Sequence, residues 1–317
     1  MNKIKILDIP KDSKIFITGH LNPDGDALGS GLALKLILDE LGLSSTVSYD
    51  IKSKISEDYH FLPIELITSV EDLQNEYDIS FVFDCGDPDR LGVLSNLVLK
   101  SKEIYVIDHH LDPKFGTNRV VDPLAASTTQ VLYRILKQEN IYINSLVSTC
   151  LLTGLITDTG RFQYSNTTAE VFQIGSELMN LGADLVQITE SIYSSIASSA
   201  LLLQAEVINR LKINKDTKIS YSYVLQSDYI DYKTTPEDTD FLIDVVRLPR
   251  ESTVALLLKE QEDGSYKGSL RSRGEINVQL IAAAFGGGGH QAASGFSTNF
   301  SRDEILNMVN DAVKSQT

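Results

Sequence analysis

Apolar positions in the first half of the chain come in short runs that alternate with longer patterns at helical spacing. Lys14 to Thr18 (KIFIT) reads as a short buried strand running into the polar stretch HLNPDGD. A helix is predicted from Ala27 to Leu41, where Leu28, Leu32, Leu36 and Ile37 share the periodicity and Gly42 supplies a stop. SSTVSY, ISFVF and Ile104 to Ile107 read as further buried strands. Strands alternating with helices predict an α/β fold, with a mostly parallel sheet and helices on both faces.

From Ser127 to about Leu211 the pattern turns helical. STTQVLYRILKQ opens on a Ser cap, VSTCLLTGLITDTG is a buried helix, and AEVFQIGSELMNLG ends at a glycine. SSALLLQAEVINRL reads as a helix joining two domains. Beyond it, TKISYSYV, STVALLLKE and YKGSLRS have strand patterns, with a turn at Asp263-Gly264, and INVQLIAAAF and RDEILNMVNDAV are helical. The expected domains are residues 1–190, a linker helix at 191–215, and a smaller α/β domain at 216–317.

Composition narrows this picture. A chain of 317 residues can build two domains with sizeable cores. With 42% apolar and 22% charged residues it suits a water-soluble globular protein. No run approaches the roughly 20 apolar residues of a membrane span, and the N-terminal segment MNKIKILDIPKDSK lacks the core of a secretory signal. The expectation is a cytoplasmic protein with no membrane partner. Cys85 and Cys150 are too few for a thiolate metal site and read as buried core thiols. The net charge of −15 argues against gripping duplex nucleic acid, which selects basic faces, and favours a small phosphorylated substrate held by local cations.

Candidate chemistry lies at the ends of the predicted strands. His20-Leu21-Asn22-Pro23-Asp24-Gly25-Asp26 follows a strand and precedes a helix, where open α/β sheets bind ligands. Asp24 and Asp26 repel one another unless a cation sits between them; the plainer alternative is an Asx-rich turn with a helix cap at Asp26. ISFVF ends in Asp84, with Asp87 and Asp89 beyond, and IYVI ends in Asp108-His109-His110. Asp158 closes a mainly apolar helix, where the helix dipole favours cations over a carboxylate. Carboxylates and imidazoles without thiolates suit Mn²⁺ and, less distinctively, Fe²⁺, Zn²⁺ or Co²⁺. Their number suits two metals sharing a bridge, an arrangement that clamps a phosphoryl group.

Six segments then resemble the DHH phosphoesterase superfamily in its DHH–DHHA1 branch. They are HLNPDGDALGS at 20–30, FDCGD at 83–87, DHH at 108–110, TDTGRF at 157–162, RSRGEINV at 271–278 and GGGGHQAASG at 286–295. Relatives of this length are nanoRNases and pAp phosphatases, also described as phosphodiesterases of linear or cyclic dinucleotides such as pApA and cyclic di-AMP. The resemblance implies an N-terminal DHH catalytic domain, a DHHA1 substrate-binding domain and two Mn²⁺. His20 and Asp24 would hold one metal, Asp26, His109 and Asp158 the other, and Asp84 would bridge them. Asp108 would orient the histidines, and His110 would protonate the leaving oxygen, simple packing beside His109 being its plainer role. A homodimer follows from the resemblance alone.

The C-terminal motifs carry the substrate half of the expectation. Gly286 to Gly289 before His290 reads either as a phosphate-cradling nest or as a flexible turn, and the absence of GK[ST] argues against a nucleoside triphosphatase. Arg271 and Arg273 share one face of an extended strand and offer bidentate phosphate contacts, while Arg247 and Arg250 read as solvated surface. The resemblance places Arg273, His290 and Gly287, Gly288 and Gly289 at the nucleotide's terminal phosphate. Ser127 and Arg161 adjoin motif residues and are further phosphate candidates, with a helix cap and a surface charge as their alternatives. Three rival functions remain. A RecJ-like single-strand DNA exonuclease typically needs modules this chain has no room for. A manganese pyrophosphatase carries a different C-terminal motif. A non-catalytic nucleotide sensor requires a broken ligand set.

Overall fold

The apolar run after Lys14 forms β1 (Ile15–Gly19), buried along its whole length because both faces are covered. The structure is a computed structural model describing residues 5–51, 55–110, 113–194 and 196–316; the first four residues of the N-terminal segment and Ser195 of the linker lie outside them. β2 (Ser45–Val47), β3 (Ile79–Phe83), β4 (Glu103–Asp108) and β5 (Asn118–Val121) join β1 in a sheet of order β2-β1-β3-β4-β5. Every pairing is parallel, as the alternating pattern predicts. The strand order reverses between β1 and β3.

Strand alternation divides two apolar layers. Ile15, Ile17, Phe81, Phe83 and Ile107 face a core shared with α1 (Gly25–Glu40), α3 (Thr128–Gln138), α4 (Ser145–Asp158) and α5 (Ala169–Asn180), and α6 (Leu185–Tyr193) follows. Phe16, Val82, Ile104 and Val106 face the opposite layer, where Leu91, Leu94 and Val98 come from a 3-10 stretch, Pro88–Leu94, and α2 (Ser95–Leu99). Helices therefore cover both faces unequally, since the β3–β4 connection contains one short helix. Cys150 is buried in the first layer and Cys85 in the second. α1 and α4 touch backbone to backbone: a Cβ on Gly29 would lie 2.3 Å from the Cys150 carbonyl.

Contacts divide the chain into two compact units, Met1–Ser195 and Ile196–Thr317. The predicted connecting helix is α7 (Ser198–Asn209), which packs in the second unit through Leu203 and Val207. There, β6 (Lys212–Asn214), β7 (Ile219–Val224), β8 (Val254–Glu260), β9 (Tyr266–Ser272), β10 (Gly288–His290) and β11 (Ala293–Thr298) form a sheet of order β10-β11-β9-β8-β7-β6. β7 and β8 are parallel across a crossover of α8 (Gln226–Tyr232) and α9 (Leu242–Val246). The other pairs are antiparallel. One sheet face packs against α10 (Val278–Ala283) and α11 (Arg302–Lys314), the other against α7, α8 and α9.

Candidate metal centre

β1, β3 and β4 lie side by side and parallel, so their carboxyl ends meet where the strand order reverses. His20 follows β1, Asp84 follows β3, and Asp108 closes β4 ahead of His109 and His110. Asp24 caps α1: its Oδ1 accepts the Asp26 N–H at 3.0 Å and the Ala27 N–H at 3.1 Å. The cap thus falls at Asp24 and not at Asp26, the position weighed from the sequence. Asp26 lies in the first turn, fully buried, and accepts the Thr128 and Thr129 N–H groups at 2.6 and 2.9 Å. Those amides belong to the first turn of α3, where a helix offers unpaired donors and positive dipole.

Two groups of side chains converge on Asp84. His20 Nε2 lies 3.6 Å from Asp24 Oδ1 and 3.4 Å from Asp84 Oδ2. His109 Nε2 lies 3.1 Å from Asp158 Oδ2 and 3.5 Å from Asp84 Oδ1. Asp26, His109 and Asp158 bring ligand atoms within 4.8 Å of one another, as do His20, Asp24 and Asp84. Each oxygen of Asp84 thus faces a different group. Asp84 itself sits at φ +53°, a left-handed conformation that costs a non-glycine residue roughly 1–2 kcal/mol.

The proton affinities report too little positive charge. Burial alone lowers the imidazoles, but the facing carboxylates outweigh it and push His20 and His109 up to about 11. Burial and neighbouring carboxylates push Asp158 up to about 6 and Asp26 well above the usual range. Asp84 is held well below it: burial opposes, but His110 and His20 prevail. A divalent cation supplies the missing charge, and the ring orientations suit one. His20 Nδ1 is 2.9 Å from the Leu21 carbonyl and His109 Nδ1 3.2 Å from the Ala125 carbonyl. A carbonyl only accepts, so Nδ1 carries a proton and Nε2 can turn a lone pair to the carboxylates.

Asp108 and Thr128 hold the remaining geometry. Asp108 Oδ1 accepts the N–H groups of His109 and His110 at 2.7 and 3.0 Å and contacts His110 Nδ1 at 2.8 Å. It therefore fixes the His110 ring, whereas the Ala125 carbonyl orients the His109 ring. Thr128 Oγ1 donates to Asp84 Oδ1 at 3.2 Å. Sequence reasoning passed over Thr128 and Thr129, because an STT run at a helix start reads as a cap. The one available signal is that hydroxyl residues after a cap mark a helix N-terminus, which attracts carboxylates. Ser127 is that cap, fully buried, accepting the Gln130 N–H at 3.1 Å. Arg161 is exposed in the turn after Asp158.

Residues 14–155 match the DHH family, N-terminal domain, and residues 216–315 match the DHHA1 domain. The chain belongs to the DHH family. It is 29% identical over 313 residues to the bifunctional oligoribonuclease and PAP phosphatase NrnA of Thermus thermophilus, covering 96% of this chain and 90% of that protein. The cyclic-di-AMP phosphodiesterase GdpP of Bacillus subtilis is 27% identical over 305 residues, or 89% of this chain and 44% of the relative. An exopolyphosphatase-related protein from Bacteroides fragilis superposes with a TM-score of 0.88 at 26% identity, over 96% of this chain and 92% of that one.

In the DHHA1 unit, Arg271 and Arg273 line one small hollow together with Arg247, which reads as surface in the sequence. Arg273 Nη2 donates to the Arg247 carbonyl at 2.6 Å, and Arg271 Nη1 to the Leu270 carbonyl at 3.0 Å. Arg271 Nε is buried without a hydrogen-bond partner among the described residues. The glycine run is partly strand: Gly288–His290 form the edge strand β10 against β11. A Cβ on Gly287 would lie 2.2 Å from the Gly295 carbonyl, and one on Gly289 (φ +135°) 2.6 Å from the Ala293 carbonyl. Strand packing therefore requires glycine at both. Around Gly288 nothing lies within 4 Å, and His290 is exposed at the end of β10.

Proposed function

We propose that the chain is a two-metal phosphoesterase that hydrolyses short nucleotides, namely nanoRNA and linear dinucleotides such as pApA, to mononucleotides, and removes the 3′-phosphate of pAp. The observation that carries this reading is the division of the Asp84 oxygens between two His/Asp groups. His20 and Asp24 would hold one Mn²⁺, and Asp26, His109 and Asp158 the other, with Asp84 common to both. Bound there, the metals polarise the phosphoryl group and make water a better nucleophile at neutral pH.

The chain's own residues do the rest. Asp108 and Asp84 outweigh the effect of burial on His110 and push it up to about 10, so the half-buried ring carries a proton at neutral pH. Beside bound cations His110 holds that proton less tightly, which suits an acid for the leaving oxygen. Arg271, Arg273, His290 and the β10 glycines are the proposed phosphate donors of the DHHA1 unit. Cyclic di-AMP is the second reading, supported by the GdpP resemblance. Purified protein with Mn²⁺ is to be offered pApA, a five-base RNA, pAp, cyclic di-AMP, pyrophosphate and single-stranded DNA. Hydrolysis of pApA and pAp, lost on chelation, is expected. No hydrolysis of any nucleotide would remove the enzyme reading, and a preference for long DNA would favour an exonuclease.

A further inference from the structure

The turn after Asp158 departs from ordinary backbone. Gly160, Arg161 and Phe162 adopt φ of +55°, +61° and +62° in succession, and two of them carry side chains. The conformation is fixed from several directions. Arg161 N–H donates to the Ile156 carbonyl at 2.9 Å, Phe162 N–H to Thr159 Oγ1 at 3.2 Å, and Tyr164 N–H to the Thr159 carbonyl at 3.0 Å. Phe162 packs on Phe172 with ring centres 5.3 Å apart. Strain that the surroundings hold in place beside a functional cluster is a reason to ask what the turn displays.

It displays Arg161. The guanidinium lies 4.6 Å from the centre of the Tyr193 ring and makes no hydrogen bond or ion pair among the described residues. Stacking orders the side chain, while the donor edges of the guanidinium stay open. Tyr193 closes α6, and the 3-10 turn Glu57–Tyr59 packs against that helix. The Tyr59 hydroxyl oxygen takes the Gly25 N–H and is close enough to Asp24 and Tyr193 for both to add to the effect of burial in raising its proton affinity. Arg161 is therefore tied to the metal cluster twice, through Asp158 along the chain and through Tyr193 and Tyr59 to the start of α1. The cluster also opens on this side. The Asp24 side chain is 52% exposed, against 5% for Asp84.

We infer that Arg161, ordered by stacking on Tyr193, binds the substrate phosphate that is not cleaved. The inference rests on the phosphoesterase reading and gives it a specificity element inside the DHH unit. A net charge of −15 repels a polyanionic substrate, so a local cation with open donors is what such a substrate needs. A terminal phosphate offers the oxygens for a bidentate arginine contact, which an internal diester offers less well.

The test compares pApA with ApA, which lacks the 5′-terminal phosphate, under Mn²⁺, and measures by calorimetry the affinity for AMP, which keeps that phosphate and is not turned over. Arg161→Ala is expected to abolish the preference for pApA over ApA, mainly through a tenfold or larger rise in KM, and to weaken AMP binding by a similar factor. Tyr193→Leu is expected to lose most of the preference, and Tyr193→Phe, which keeps the ring, to retain it. An Arg161→Ala protein with the wild-type preference and AMP affinity would overturn the inference, as would an equal loss on both substrates. Wild-type protein that cleaves neither dinucleotide would instead count against the phosphoesterase reading, and AMP affinity would still decide on Arg161.

Discussion

At Asp84 a buried strand ends, the backbone turns left-handed, and each carboxylate oxygen faces a different histidine. Such a residue depends on what fixes its rotation, and Thr128 Oγ1 is one such group. Thr128→Val, which keeps the shape and removes the donor, is expected to lower kcat about tenfold and weaken metal affinity, while Thr128→Ser restores both. Metal titrations followed by manganese EPR check this independently of turnover. The histidines make a second prediction. His20 and His109, pushed up to about 11, are protonated at neutral pH in the metal-free protein. Ligation through Nε2 must displace those protons, so about two should leave per metal pair at pH 7. Apparent metal affinity then rises with pH up to about 11 and falls on acidification. Calorimetry in buffers of different ionisation enthalpy counts the protons; a release near zero would contradict ligation by these histidines.

Among elements, three strand ends and two helix ends build the centre, and their register decides which side chains meet. α3 contributes through its first-turn amides to Asp26, and α4 through Asp158 at its last position. In the second unit, Asp228 plays a comparable organising part for α8. Its carboxylate accepts the Leu225 N–H at 2.7 Å and holds Arg210 through contacts of 2.5 and 2.9 Å. Although burial opposes it, the Arg210 guanidinium keeps Asp228 below the usual carboxylate range. A depressed carboxylate adds stability above its unfolded pKa and loses it as pH falls through the folded value. Asp228→Asn is therefore expected to cost about 2 kcal/mol at pH 7 and progressively less in acid, read from urea unfolding at several pH values.

On the scale of the whole molecule, two units carry separate cores: the parallel sheet with the metal cluster, and the mixed sheet with the arginine hollow and glycine strand. A metal that binds only the folded first unit stabilises that unit by mass action. Adding Mn²⁺ at about 100 times its Kd should contribute about 2.7 kcal/mol to the N-terminal unit. Hydrogen exchange resolved along the chain should show added protection in β1, β3, β4 and α4 and little change in β7 to β9. Equal protection of both units would contradict a metal site confined to the first.

Periodicity alone made most of the fold legible. β1, β3 and β4 are continuous apolar runs because they are buried on both faces, and α1 and α4 are apolar because other elements surround them. β5, β6, β10 and β11 were not legible. They are short or edge strands rich in small or half-buried residues, and their pairing comes from neighbours distant in sequence. The sequence likewise determined which residue types gather at the strand ends, since a charge closing a buried strand has to lie at the sheet's edge. Only the tertiary structure decided how they meet. Asp24 and not Asp26 became the helix cap, Thr128 came to bond Asp84, Arg247 joined Arg271 and Arg273, and Arg161 found the Tyr193 ring. Each of these depends on distances between segments 20 to 100 residues apart, which local pattern does not encode and packing does.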